Sequence, residues 1–202
     1  MTRILITNAY SSRNKGDAGI IAGMIQDLQS RERFRDAVFT ISSAAGPTAD
    51  EHYPGTVVDS YPSLKQKLSS SAIIRELGFL LFLLPQSLAW IMASRLLGTD
   101  LPVWPPLRAM LRAYRSANLV IAAGGGYLYT RSARRGNVIL LTQVCSYHCA
   151  VLLGKPVYLW AQSIGPFAAG FQEKLVARSL RRVRLVLARE ADTLRRLEQW
   201  QG

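Results

Sequence analysis

Cysteine and histidine are scarce in this chain, with two of each, and acidic residues are outnumbered, 13 against 25 Lys/Arg. Two cysteines make no disulfide framework, which suits a reducing compartment. Cys145 and Cys149 stand four apart in an apolar run, on one helix face, with His148 as the nearby imidazole. Without a further Cys to complete a metal set they read as a buried thiol pair, and no metal is expected. The apolar run near Met1 is too short and too charge-flanked to read as a signal peptide. No Gly-Lys-Ser/Thr of a phosphate-binding loop follows a glycine-rich turn, and no full Gly-x-Gly-x-x-Gly occurs. Internal repeats and low-complexity tracts are absent. No aromatic platforms interleave with the basic residues, so nucleic acid is not an expected partner.

What is present is an apolar chain: 49% hydrophobic and 19% charged over 202 residues, enough for one folded domain with a core. The charge is uneven. Residues 1–70 hold eight Lys/Arg against seven Asp/Glu, whereas residues 71–202 hold seventeen against six, about +11. Such a stretch attracts anionic headgroups or a phosphorylated small molecule. Within it, residues 77–93 are apolar but for Pro85, Gln86 and Ser87, and are flanked by Arg75 and Arg95, with Trp90 and Trp104 close by. At this length the segment is at the lower limit for a span. It reads as an interfacial or protein-buried helix pair, with a true span as the alternative. Peripheral membrane contact through 77–93, at the cytoplasmic face of a plasma membrane, is the corresponding expectation.

Periodicity predicts a strand at Arg3–Thr7, a polar loop from Asn8, and a helix from Asp17 to about Gln29, with Ile20, Ile21, Met24, Ile25 and Leu28 at helical spacing. Further strands are predicted at 37–42, 56–59, 118–123, 156–161 and 184–188. Helices are predicted at 105–114, 138–153 and 171–181, with a closing helix to Trp200 after Arg189-Glu190 and a helical insertion at about 65–115. Strand–helix alternation of this kind predicts an α/β fold, a Rossmann-like parallel sheet with helices on both faces. Right-handed crossovers gather the strand C-termini on one edge, where ligands bind.

Three chemically unusual passages follow predicted strands. Asn14-Lys15-Gly16-Asp17 opens a helix, either as an anion site or with Asp17 as its cap. Gly124-Gly125-Gly126 has no packing value, which favours close approach of backbone to a ligand over a plain loop. Beside it, Tyr127 and Tyr129 suit stacking on a sugar or packing, and Arg131, Arg134 and Arg135 form a basic, solvated cluster. Gln162-Ser163-Ile164-Gly165-Pro166 reads as a strand-exit turn with hydrogen-bonding groups at the crevice. Arg189-Glu190 at the last strand end reads as an anion clamp or a surface pair.

Taken in order, Asn14-x-Gly16-Asp17-Ala18, the glycine triplet, the Gln162–Pro166 turn and Arg189-Glu190 resemble the polysaccharide pyruvyl transferase family over most of the chain, most weakly across 43–115. The resemblance implies one half of a GT-B-like two-domain enzyme that uses phosphoenolpyruvate as co-substrate, without a further cofactor, and forms a pyruvate ketal on a saccharide, lipid-linked in some settings. It implies catalytic roles for Asp17 and Arg189. It implies substrate contacts from Asn14, Gly16, Gly124, Gly125, Gly126, Gln162, Ser163 and Gly165. Residues 1–202 correspond to the N-terminal domain, and the expected C-terminal domain, with part of the phosphoenolpyruvate site, is not among them. An acidic residue usual after the triplet is replaced by Tyr127-Leu128-Tyr129-Thr130. Two alternatives stand beside this reading: a truncated, non-catalytic half that binds a partner chain, and half of a sugar-nucleotide glycosyltransferase.

Overall fold

A computed structural model describes residues 1–48, 53–133 and 135–201. Arg134 of the basic cluster lies outside the described residues. The chain runs β1 (Arg3–Ala9), α1 (Lys15–Ser30), β2 (Val38–Ser43), β3 (Thr56–Asp59), α2 (Tyr61–Leu68), α3 (Ala72–Gly78), α4 (Leu84–Leu96) and α5 (Pro105–Ser116). It continues through β4 (Leu119–Ala122), β5 (Gly125–Leu128), α6 (Arg135–Leu152), β6 (Val157–Ile164), α7 (Gly170–Leu180), β7 (Leu185–Ala188) and α8 (Ala191–Gln201). The seven strands form one sheet in which every pairing is parallel. The fold is thus α/β and Rossmann-like.

Reading across, β3, β2 and β1 lie on one side of β4, and β6 and β7 on the other. β5 continues β4 beyond a kink at Ala123–Gly124, and both run along β6: Ala122 pairs with Leu159 and Gly125 with Gln162. Strand order therefore reverses between β1 and β4, which opens a crevice at their C-terminal ends.

The sheet follows from alternation in its strands. On β1, Ile4 and Ile6 join Ile21, Met24 and Ile25 of α1, while Leu5 joins a larger cluster on the opposite face. That second face carries the inserted helices and α6. In α5, Leu107, Met110, Leu111 and Tyr114 recur at three- and four-residue spacing and are fully buried. Pro105 and Pro106 sit in its first turn, where a missing N–H removes no helical bond.

The apolar insertion is one continuous helix, not a pair broken at Pro85. α3 and α4 are joined by a π turn at Phe79–Leu83, where the Leu84 N–H donates to the Phe79 carbonyl five residues back. Pro85 explains the widening, because its ring displaces the carbonyl four residues earlier and it offers no N–H. The polar residues that suggested a break are satisfied inside the fold. Ser87 Oγ donates to the Leu83 carbonyl at 2.7 Å, and Gln86 Oε1 accepts from Trp104 N–H at 2.9 Å. The helix Ala72–Leu96 is long and apolar enough to cross a membrane by length and composition. Phe79, Leu83, Trp90 and Ile91 are nevertheless buried in the domain core.

Two predicted loops are strand. Gly125–Leu128 and Gln162–Ile164 pair with each other as β5 and the end of β6, so chain exit begins only at Gly165. Parallel ladder bonds hold them: Gly165 N–H donates to Leu128 O at 2.8 Å and Thr130 N–H to Pro166 O at 3.0 Å. Glycine-rich composition hid the first strand, since glycine carries no strand-forming side chain.

Candidate active site

A polar cavity of about 180 Å³ opens at the β1/β4 switch, lined by Asn8 from β1 and Tyr10 just after it, Asp17 from α1, the Gly124–Gly126 segment, and Gln143 and Ser146 from α6. A larger groove of about 500 Å³ lies elsewhere, between α4, α6 and α7, and its walls are almost wholly apolar. Chemistry on polar substrates requires the first.

Asn8 sits at φ +60°, where β1 slips register against β2 between Ile6 and Ala9. Asn tolerates this left-handed conformation better than most residues, and the slip re-aims its side chain. Its Nδ2 donates to Gln143 Oε1 at 2.8 Å and to the Gln143 carbonyl at 3.2 Å. Its Oδ1 is buried without a partner. Tyr127 also lines the cavity, but its unpartnered hydroxyl is turned into the core near Tyr147 and Tyr114, where burial holds the phenol well above the ordinary range. An orphaned amide oxygen on a residue that lines the cavity marks a place where a ligand can supply the missing bond.

The helix opening differs from the simplest prediction. Helix α1 starts at Lys15, and its cap is Asn14, whose Oδ1 accepts from Gly16 N–H at 3.0 Å. Asp17 is therefore not the cap. It stands in the first turn with its carboxyl on the cavity, and partial burial raises that carboxyl above its ordinary value of 3.8.

Each glycine of the triplet has its own reason. A Cβ on Gly124 would stand 2.8 Å from the Trp160 carbonyl oxygen, so the strands meet there only without a side chain. Gly125 has φ +145°, a conformation L side chains rarely adopt. Gly126 faces open space, with Ser163 Cβ the nearest atom at 3.8 Å. Beneath them, Gln162 is fully buried and its Nε2 donates to the Gly125 carbonyl, which fixes the turn from below.

Ser163, Arg189 and Glu190 lie further along the same sheet edge. Ser163 Oγ donates to Glu190 Oε2 at 2.8 Å, and Thr193 Oγ1 to Glu190 Oε1 at 2.5 Å. Glu190 thus ties the start of α8 to β6 instead of pairing with Arg189. Arg189 is exposed at the end of β7, its N–H donating to the Gln162 carbonyl at 3.0 Å, and it makes no ion pair among the described residues. The structure brings together Asp17 and the triplet in one cavity, with Asn14 and Gly16 at the adjoining helix start. It leaves Arg189, Ser163 and Gly165 outside that lining. Asn8, Tyr10, Ser60, Gln143 and Ser146 are polar lining residues that sequence reasoning missed. The signal for Gln143 was an amide inside an otherwise apolar helix.

The cysteines are packed as a thiol pair. Both are free; burial pushes Cys145 up to about 12 and Cys149 up to about 11, and Cys149 Sγ lies 3.1 Å from the Tyr61 hydroxyl.

A parallel sheet with a polar cavity at its switch point, beside a helix N-terminus and a glycine turn, defines a Rossmann-like α/β domain with a candidate site at one sheet edge. The match to known families is specific: the polysaccharide pyruvyl transferase model covers residues 14–201, nearly the whole chain, and the chain belongs to that family. Neither the curated proteins nor the solved structures yield a match.

Proposed function

We propose that this domain transfers pyruvate from phosphoenolpyruvate to a saccharide, forming a ketal across two sugar hydroxyls, with the β1/β4 cavity as its part of the reaction site. Membership of a transferase family supports an enzyme of polysaccharide biosynthesis in general. The observation that carries the finer reading is the cavity itself. It gathers Asp17, a carboxyl of raised proton affinity, with Asn8, whose side-chain oxygen is unpartnered, and the Gly124–Gly126 backbone.

In the proposed reaction an acid protonates the enolpyruvyl methylene carbon and the adjoining carbon becomes oxocarbenium-like. A sugar hydroxyl adds to that carbon and gives its proton to a base. The C–O bond to phosphate then breaks with its electron pair leaving on phosphate. A second hydroxyl adds and loses its proton, so that one phosphoenolpyruvate and one diol give one ketal and inorganic phosphate. Asp17 is assigned to proton handling or to orienting the sugar, since a carboxyl of raised pKa exchanges protons closer to neutrality. Asn8 Oδ1 is assigned to a sugar hydroxyl. Arg189, exposed on the same edge, is assigned to a carboxylate or phosphate of the donor.

Release of inorganic phosphate from phosphoenolpyruvate, dependent on added saccharide and accompanied by a ketal methyl signal in the NMR spectrum, is the expected result. Transfer from a sugar nucleotide with phosphoenolpyruvate ignored would replace this reading with the glycosyltransferase one.

A further inference from the structure

The helix Ala72–Leu96 presents an apolar face that the fold leaves open. Ile73, Leu77, Leu81, Leu88, Met92 and Leu96 follow one another at helical spacings and are all exposed, Leu81 by 75% and Leu96 by 73%. No charged residue occurs between Glu76 and Arg95. The opposite face of the same helix is fixed in the core through Phe79, Leu83 and Trp90, each fully buried. A helix so anchored cannot leave the domain to span a bilayer without stripping the core of those side chains. Its free side stays on the outside of the domain, open to a surface that could cover it.

Leu88 belongs both to this stripe and to the wall of the groove between α4, α6 and α7, so the two apolar surfaces are continuous. The far wall of the groove ends in Arg178, Arg181 and Arg182, all exposed. None of the three has an ion-pair partner among the described residues, and no acidic residue lines the groove. The carboxylates nearest the stripe in sequence are already engaged, Glu76 by Lys65 at 2.7 Å and Asp100 by Arg112 and Arg115. The C-terminal end of α4 is pinned in place, because Arg95 Nη1 donates to the Leu152 carbonyl at 2.8 Å.

We propose that this surface docks the protein on an anionic phospholipid bilayer. The stripe lies at the boundary of headgroups and acyl chains, the groove accepts part of a chain, and the three arginines meet lipid phosphates. Apolar residues flanked by unpaired cations are the chemistry of an interfacial helix. A second copy of this chain fits less well, because a two-fold contact sets the same patch against itself and would bring the arginines together with no free carboxylate between them. This proposal concerns where the domain rests and is independent of the reaction assigned to it.

The test is co-sedimentation of the full chain with vesicles of phosphatidylcholine alone and of phosphatidylcholine mixed with phosphatidylglycerol, at low and high salt. The protein is expected to pellet with the mixed vesicles and to be released by salt. The Leu81→Glu/Met92→Glu variant is expected to stay in solution. Replacing Arg178, Arg181 and Arg182 by Gln is expected to lower partitioning by roughly fivefold per charge removed. All these side chains are exposed, so circular dichroism should match the unmodified protein; Met92→Ser alone serves if the double variant is misfolded. Protein that ignores both vesicle types, or glutamate and serine variants that still pellet equally, would overturn the proposal. So would equal binding to neutral and mixed vesicles. A dimer in the ultracentrifuge that Leu81→Glu/Met92→Glu breaks, without vesicle binding, would overturn it in favour of a second copy.

Discussion

Asp17 carries a cost that a surface aspartate does not, because partial burial disfavours its ionised form. The sign of the consequence is fixed by linkage. With its pKa raised in the fold, its contribution to stability is fully present below 3.8 and is lost as pH rises through the raised value. Asp17→Asn is therefore expected to melt slightly higher than the unmodified protein at neutral pH. The difference should close as pH falls below 3.8, a pattern that thermal melts across pH would check. The same variant is expected to lose pyruvyl transfer by about 10²–10⁴-fold, the usual range for a proton-handling group. The glycines make a second comparison at this scale. Gly124→Ala drives a methyl into the Trp160 carbonyl and should lower stability by about 1–3 kcal/mol in denaturant titrations. Gly126→Ala meets open space, so it should leave stability within about 1 kcal/mol while narrowing the cavity and weakening substrate binding.

Among the elements, β1 and α6 depend on each other through Asn8 and Gln143. Gln143→Ala removes both side-chain acceptor and packing from a residue held at φ +60° and should cost about 1–2 kcal/mol, measurable by chemical denaturation. In α6 the Cys149 thiol is buried and the Cys145 thiol half-buried at the apolar groove, and desolvation holds both protonated. Iodoacetamide near pH 8 is expected to modify them only after unfolding, with mass spectrometry as the readout. Most elements were legible in the sequence because their signals are local. The apolar spacing of α1 and α5 and the short apolar runs of β1 and β4 needed no tertiary knowledge. What was not legible depends on partners far away in the chain. β5 is a strand because Gly125 and Leu128 find Gln162 and Ile164 on β6, and a glycine-rich segment gives no such hint alone. The continuity of α3 and α4 across Pro85 likewise rests on Gln86 meeting Trp104 N–H, a contact no periodicity reveals. In the cavity, the sequence pointed to Asp17 and the triplet through motif chemistry, whereas Asn8 entered through a bulge in β1.

On the scale of the whole molecule, the sheet divides the work. The C-terminal edge holds the polar cavity at the strand-order reversal, while the inserted helices and α6 fill one face with a core. The uneven charge, concentrated after residue 70, falls on the part of the chain that includes the α7 arginines and the apolar helix. The central claim is that substrate meets this domain at the β1/β4 switch. The direct measurement is backbone NMR of the isotopically labelled protein during titration with a saccharide acceptor and phosphoenolpyruvate. Shifts concentrated in the amides of Asn8, Asp17 and Gly124–Gly126, and lost in Gly126→Ala, are the predicted result. Shifts clustered instead around His148 and Cys145 in the apolar groove, or equal shifts in Gly126→Ala, would contradict it.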